Sequence, residues 1–181
     1  FIMNHKFGFD MPKAMHAEFG EIVQHESDKE GVELKPDIIF DLFKKAYLSV
    51  DGPYRLISNK LNADVQDGVA HSHFYGKLQH KDTIFEVTGD GNGPIDAFFN
   101  AIRGERMDRY EFIDYKEHAI STGSDSQAVA YIQLRTKDGH NVFGVGIDHN
   151  ISMASIKGIL CAINRCKAWE HHLEEQTAQD K

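Results

Sequence analysis

Apolar residues follow two different periods along this chain, and the change comes at Asp51-Gly52-Pro53. Before that break the spacing is helical. Met11, Met15, Phe19, Ile22 and Val23 form one stripe, with Asp10 placed to cap its helix and Pro12 in the first turn. This helix is expected to fade in the charged run Glu26 to Glu30 and to end at Gly31. A second helix is expected from Pro36, with Ile39, Leu42, Phe43 and Ala46 on its buried side. After Pro53 a period of two takes over, as in half-buried strands. Strands are predicted over 54–62, 69–78 and 83–88, then a helix from Pro94 to about Arg103 carrying Ile95, Phe98, Phe99 and Ile102. Three more strands follow near 110–120, 128–136 and 142–147, with a hairpin turn at Asp138-Gly139. A last helix runs from about Ser152 to beyond Trp169, its stripe formed by Ile156, Ile159, Leu160 and Ile163. The pattern therefore predicts an α+β fold. Residues 1–52 form a small helical linker subdomain, 53–172 a domain of two pseudo-symmetric βββα units, and 173–181 a polar tail expected to fray.

The duplication has a sequence counterpart. Phe85-Glu86-Val87-Thr88-Gly89-Asp90-Gly91-Asn92 is echoed by Phe143-Gly144-Val145-Gly146-Ile147-Asp148-His149-Asn150, at an offset of 143 − 85 = 58 residues. Both copies share F-x-V-x-x-D-x-N and run from a strand through a turn into a helix. The two helix N-termini become candidate anion sites, since free N–H groups and the helix dipole favour negative charge there. In the first copy, the three glycines of Gly89 to Gly93 suggest positive φ and room for a ligand against the backbone. The N–H groups of Gly93, Ile95 and Asp96 are candidates to face a carboxylate. Taken alone, the motif is explained as simply by a turn joining strand to helix. The second candidate region, 115–128, places small residues at Ala119, Ser126 and Ala128. Space beside an apolar wall suits a branched aliphatic side chain.

Composition narrows the partners. A hydrophobic fraction of 41% supports a real core, while a net charge of −8 and a pI near 5.7 argue against nucleic acid. No apolar run approaches the roughly 18 residues of a membrane span. The start, Phe1-Ile2-Met3-Asn4, resembles neither a signal peptide nor an initiator and suggests an excised piece. Cys161 and Cys166, five apart on a helix, point to different faces; two unpaired thiols fit a reducing, cytoplasmic setting. His71-Ser72-His73 has metal-ligand spacing, but no neighbour in sequence completes a set, so a solvent-facing role is expected. His171-His172 is equally weak, and His118 points away from Glu117 on its strand. No catalytic residue and no metal ligand is assigned.

The segments Gly91-Asn92-Gly93-Pro94-Ile95-Asp96-Ala97-Phe98, Asp114-Tyr115-Lys116-Glu117-His118-Ala119 and Gly144-Val145-Gly146-Ile147 resemble the C-terminal regulatory domain of 2-isopropylmalate synthases. So does the stretch from Ala154-Ser155-Ile156-Lys157 through Ala162-Ile163-Asn164-Arg165. Gly8-Phe9-Asp10-Met11-Pro12 and Glu18-Phe19 resemble the linker after that family's catalytic barrel. The resemblance implies a fragment that lacks the barrel and is inactive alone. In the parent enzyme, acetyl-CoA would be condensed with 2-oxoisovalerate, with the divalent metal in the barrel and no cofactor in this piece. It also implies that L-leucine is the effector and that two regulatory domains pair around it as a homodimer. Positions matching Asn92, Gly93, Ile95, Tyr115, Ala119, Ser126, Ala128 and Ile147 surround leucine in that family; Gly91 and Asp96 join them from the loop. Ser126 departs from the family's alanine. Two alternatives stay open: the isoleucine-binding regulatory part of a citramalate synthase, and a ligand-free dimerisation module. Asn92-Gly93-Pro94 and Asp114-Tyr115 favour the leucine branch.

Overall fold

The computed structural model describes residues 1–103, 109–122 and 124–181, with the side chains of 122 and 168–174 left undescribed. The chain opens with α1 (Ile2–Phe7), which the hydrophobic pattern did not predict, and α1 stops at Gly8 in the left-handed region, φ 77°. A single 3₁₀ turn, Lys13–Met15, precedes α2 (His16–Glu30). Asp10 does not cap this helix. Its carboxylate instead accepts a hydrogen bond from Lys116 Nζ at 2.8 Å. Gly31, with φ 70°, ends α2 as expected. Helix α3 (Pro36–Phe43) starts at its proline and continues through one π-helical turn, Lys44–Leu48.

Two three-stranded antiparallel sheets follow, each a meander closed by a helix. The first is β1 (Tyr54–Gln66), β2 (Val69–His80) and β3 (Thr83–Gly91), then α4 (Pro94–Ile102). The second is β4 (Tyr110–Thr122), β5 (Asp125–Thr136) and β6 (Asn141–Asp148), then α5 (Ile151–Gln179). The βββα duplication is therefore present. Helix α5 continues through the stretch read as a fraying tail, because Glu, Gln and Ala there are good helix formers.

The ladder shows where the repeat lies. Tyr54 opposite His80 corresponds to Tyr110 opposite Thr136, an offset of 110 − 54 = 56, and each edge strand has a register shift at the same place, Leu56/Ser58 and Phe112/Asp114. The offset stays 56 through β2 and β5, as at Leu78 and Leu134, and becomes 57 after the second hairpin turn. Phe85 lies opposite Leu78 and Val142 opposite Leu134, so 142 − 85 = 57, and α4 and α5 begin at Pro94 and Ile151. The sequence echo at 58 is one residue out of register, and one residue turns every side chain to the other face. Val87 joins the core beneath α4, with Phe85 packed against it, whereas Phe143 and Val145 face the N-terminal helices. The echo misleads because Val142 to Gly146 are all buried, so β6 has no alternation to fix its register.

The two units share one core. Phe74, Leu78, Phe98 and Ile102 of the first meet Ile132, Leu134, Ile156, Ile159 and Ile163 of the second. Buried Asn164 of α5 staples them, accepting from Tyr54 N and donating to Tyr54 O, both at 2.9 Å. A second core seals the N-terminal helices to the outer face of the second sheet. There Met3, Phe9, Met15, Phe19, Phe43 and Tyr47 pack on Val129, Tyr131, Phe143 and Val145. Glu18 crosses this seam, accepting from Tyr47 Oη at 2.7 Å, from Phe143 N at 3.3 Å and from Arg165. The Arg165 guanidinium also lies over the Tyr47 ring, 4.3 Å from its centroid. Among the described residues, no helix is long and apolar enough to cross a membrane.

Candidate functional site

The β3–α4 turn holds five of the residues singled out above. Gly91 ends β3, Gly93 is the N-cap of α4, and Pro94 occupies the first helical position. No side chain caps α4, so its first N–H groups remain candidates for an anion. At the equivalent corner of the second unit, Asn150 Oδ1 accepts from Met153 N at 3.1 Å, so one N–H of that first turn is already satisfied. Asp96 Oδ2 accepts from Asn92 N at 3.0 Å and fixes the turn. The glycines are not there for positive φ. An added Cβ at Gly89 would lie 2.3 Å from Ala101 N, and at Gly91 2.5 Å from Ala97 N, so both permit strand and helix to touch. Gly93 is extended, φ −167°, with nothing within 4 Å of an added Cβ. The space beside Gly93 is open.

The second group lies on the face of the second sheet that carries α5. Ala119 pairs with Ala128 and Ala128 with Asp148, so these three form one row across β4, β5 and β6. Tyr115 and Ser126 share that face by strand alternation. Tyr115 is 42% exposed, Ala119 and Ser126 are exposed, and Ala128 is half-buried. The row ends in charge. Asp148 accepts from Lys157 Nζ at 2.7 Å and from Asn150 N at 2.8 Å. Partial burial pushes the Asp148 carboxyl upward, but Lys157 and the Asn150 N–H outweigh it and hold it below its ordinary value. Methyl groups beside a carboxylate–ammonium pair offer an apolar floor and both charges that an α-amino acid complements. Asp148 and Lys157 were not candidates in the sequence, because only the ladder register brings Asp148 beside Ala128 and only the fold brings Lys157 to Asp148.

Ile147 does not join this row. It pairs with Val129, and both side chains belong to the seam with the N-terminal helices. The alternation that places Ala119 and Ala128 on one face places Ile147 on the other. The β3–α4 turn and the Ala119 row lie in separate βββα units, each built within its own unit.

Other candidates resolve differently. His73 lies between two carboxylates from neighbouring strands, paired with Asp90 and 4.0 Å from Asp64. The expectation that no carboxylate stands near it is therefore corrected. Sequence neighbours do not reveal cross-strand ones. His118 Nε2 lies 2.7 Å from Tyr131 Oη. The His171-His172 pair lies outside the described side chains. Cys161 is buried with its thiol pushed up to about 11 by burial, which makes it a poor nucleophile. A cleft of about 1220 Å³ runs between α2, α3, the β5–β6 turn and Arg165, away from both residue groups.

These features define a duplicated βββα domain with a helical subdomain fastened to one sheet. Residues 33–167 match the family model described as the LeuA allosteric (dimerisation) domain, and the chain belongs to that family. Over 171 residues it is 43% identical to a 2-isopropylmalate synthase of Clostridium acetobutylicum, covering 92% of this chain and 30% of that protein. It is 36% identical to the 2-isopropylmalate synthase of Pseudomonas entomophila, covering 91% of the chain and 28% of the relative. The one from Helicobacter hepaticus is also 36% identical, with 91% and 30% covered. The chain thus spans less than a third of the length of these curated relatives.

Proposed function

We propose that this chain is the regulatory region of a 2-isopropylmalate synthase and that it binds L-leucine as a feedback effector, in the cytoplasm, as a homodimer. The condensation of acetyl-CoA with 2-oxoisovalerate, with its divalent metal, belongs to a catalytic barrel outside these residues; the chain by itself is inactive. The observation that carries this reading is the Ala119–Ala128–Asp148 row with Lys157 beside it, in a domain of the LeuA allosteric family. The isobutyl group lies against Ala119, Ala128 and Tyr115. The ionic groups of leucine meet the charged end of the row and the open backbone at Asn92 and Gly93, with Gly91, Ile95, Asp96 and Ser126 around them. A feedback inhibitor acts only by binding one global state better than another.

Calorimetry with leucine, isoleucine and valine tests the assignment. Leucine is expected to bind most tightly. Ala128→Phe fills the space for the isobutyl group. Overpacking of about 1–3 kcal/mol lowers affinity roughly five- to a hundredfold. His71→Ala, outside both residue groups, leaves binding unchanged. Leucine binding undiminished in folded Ala128→Phe overturns the location. Tighter binding of isoleucine moves the chain to the citramalate branch, and no heat from any of the three leaves a dimerisation module.

A further inference from the structure

Strand β4 touches both functional halves of the molecule, one on each face. Tyr115, Glu117 and Ala119 lie on the face of the effector row. Lys116, His118 and Ile120 alternate with them and point to the N-terminal segment. Lys116 Nζ donates to Asp10 Oδ2 at 2.8 Å, and its ammonium holds the Asp10 carboxyl below its ordinary value. Asp10 N donates to His118 Nε2 at 3.4 Å, and Tyr131 Oη lies 2.7 Å from the same nitrogen. An added Cβ on Gly8 would lie 3.6 Å from Ile120 Cδ1. Between them Phe9 is buried, its ring 4.8 Å from that of Phe43 in α3. The segment 8–10 therefore lies against β4 at both ends and is held at its centre by the linker helices.

We propose that β4 transmits occupancy of the effector row to the linker subdomain, with Asp10, Lys116 and His118 as the positioning contacts that read it. The proposal rests on the effector reading above. Its mechanical basis is the pleat. A ligand cannot shift Tyr115 and Ala119 without shifting Lys116 and His118, because alternate residues share one backbone. Strand β4 has the most room to shift because it is an edge strand whose ladder, among the described residues, runs to β5, and its Phe112/Asp114 irregularity gives slack at one end. Within the second sheet, β5 is bonded on both sides and β6 lies under α5, so neither has this freedom.

Coupling is reciprocal. Whatever factor leucine imposes on the tether, the tether imposes on leucine. The test measures both on this chain, by calorimetry and by amide hydrogen exchange with and without leucine. In the parent, leucine is expected to change exchange at Phe9 and Asp10 by about fivefold or more, the low end of ordinary allosteric coupling. Lys116→Met and Asp10→Ala are expected to abolish that response and to change the leucine Kd by a comparable factor. The charge-swapped pair Asp10→Lys with Lys116→Asp restores the response, which a merely structural role would not do. Lys77→Ala, breaking the Lys77–Glu86 pair on the first sheet, changes neither readout. Leucine binding with unchanged exchange at 8–10, and a Kd in Lys116→Met within about twofold of the parent, overturns the coupling and leaves the effector reading standing. An absence of leucine binding to the parent overturns both.

Discussion

A methyl group added at Gly146 would sit 1.9 Å from the Ala154 carbonyl oxygen, a contact no side chain survives without moving β6 off α5. At Gly93 the same methyl group meets nothing within 4 Å. The two substitutions therefore separate folding from binding. Gly146→Ala is expected to destabilise the chain by about 1–3 kcal/mol or more in urea denaturation, as overpacked cores do. Gly93→Ala is expected to leave the denaturation midpoint in place and weaken leucine binding, since it narrows only the approach to the α4 N-terminus. Equal destabilisation by both, or unaltered leucine affinity in Gly93→Ala, would contradict this assignment. The glycines themselves were legible in the sequence, but their cause was not. Gly89 and Gly91 are small because a helix lies on them, and only the ladder shows which face that is. The face of the sheet on which Ile147 lies, opposite to that of Ala128, is likewise visible only in the ladder.

At the scale of elements, the corner from β6 into α5 is held by charge. Lys157 reaches back from the second turn of α5 to Asp148, and Asn150 caps the helix. The Asp148 carboxyl titrates below its ordinary value, so its stabilising contribution is present above the unfolded value of about 3.9 and is lost as pH falls through the folded one. Lys157→Met is expected to be less stable than the parent near neutrality by under about 1 kcal/mol, because the pair is partly exposed and screened. The difference should close as pH falls through the lowered Asp148 value. A gap that persists in acid would mean that Lys157 acts through its packed stem instead. Most elements could be read from the sequence because period and turn residues agree, as at Gly31, Pro36, Pro94 and Gly139. The exceptions have physical causes. Helix α1 is a short helix whose one buried residue, Met3, is held by tertiary contacts. Strand β6 is buried on both faces and so carries no alternation.

At the scale of the whole molecule, the surfaces that need covering differ between the two sheets. The second sheet lies between α5 and the N-terminal helices, whose apolar stripes showed in the sequence while the surface they cover did not. The first sheet turns Lys60, Asp64, His73, Lys77, Glu86 and Asp90 outward, so its outer face is at home in water. Exposed apolar residues of this unit are Tyr75 and Ile84 among those outward charges, Ile57 beside the β1 irregularity, and Val65 and Val69 near the β1–β2 turn, 70% and 53% exposed. Strands β1 and β4 are edge strands of their sheets. A second copy of this chain is the occupant we expect there, in keeping with a dimerisation-family domain. Sedimentation from low to high micromolar concentration should find a dimer. Val65→Glu with Val69→Glu, both at exposed positions, should shift it toward monomer without loss of helix or sheet signal. Monomer at every concentration, or a dimer indifferent to both charges, would remove the tip from the interface. Leucine should strengthen the parent dimer, because an effector enclosed near an interface binds the paired state better and must, by linkage, favour pairing in return.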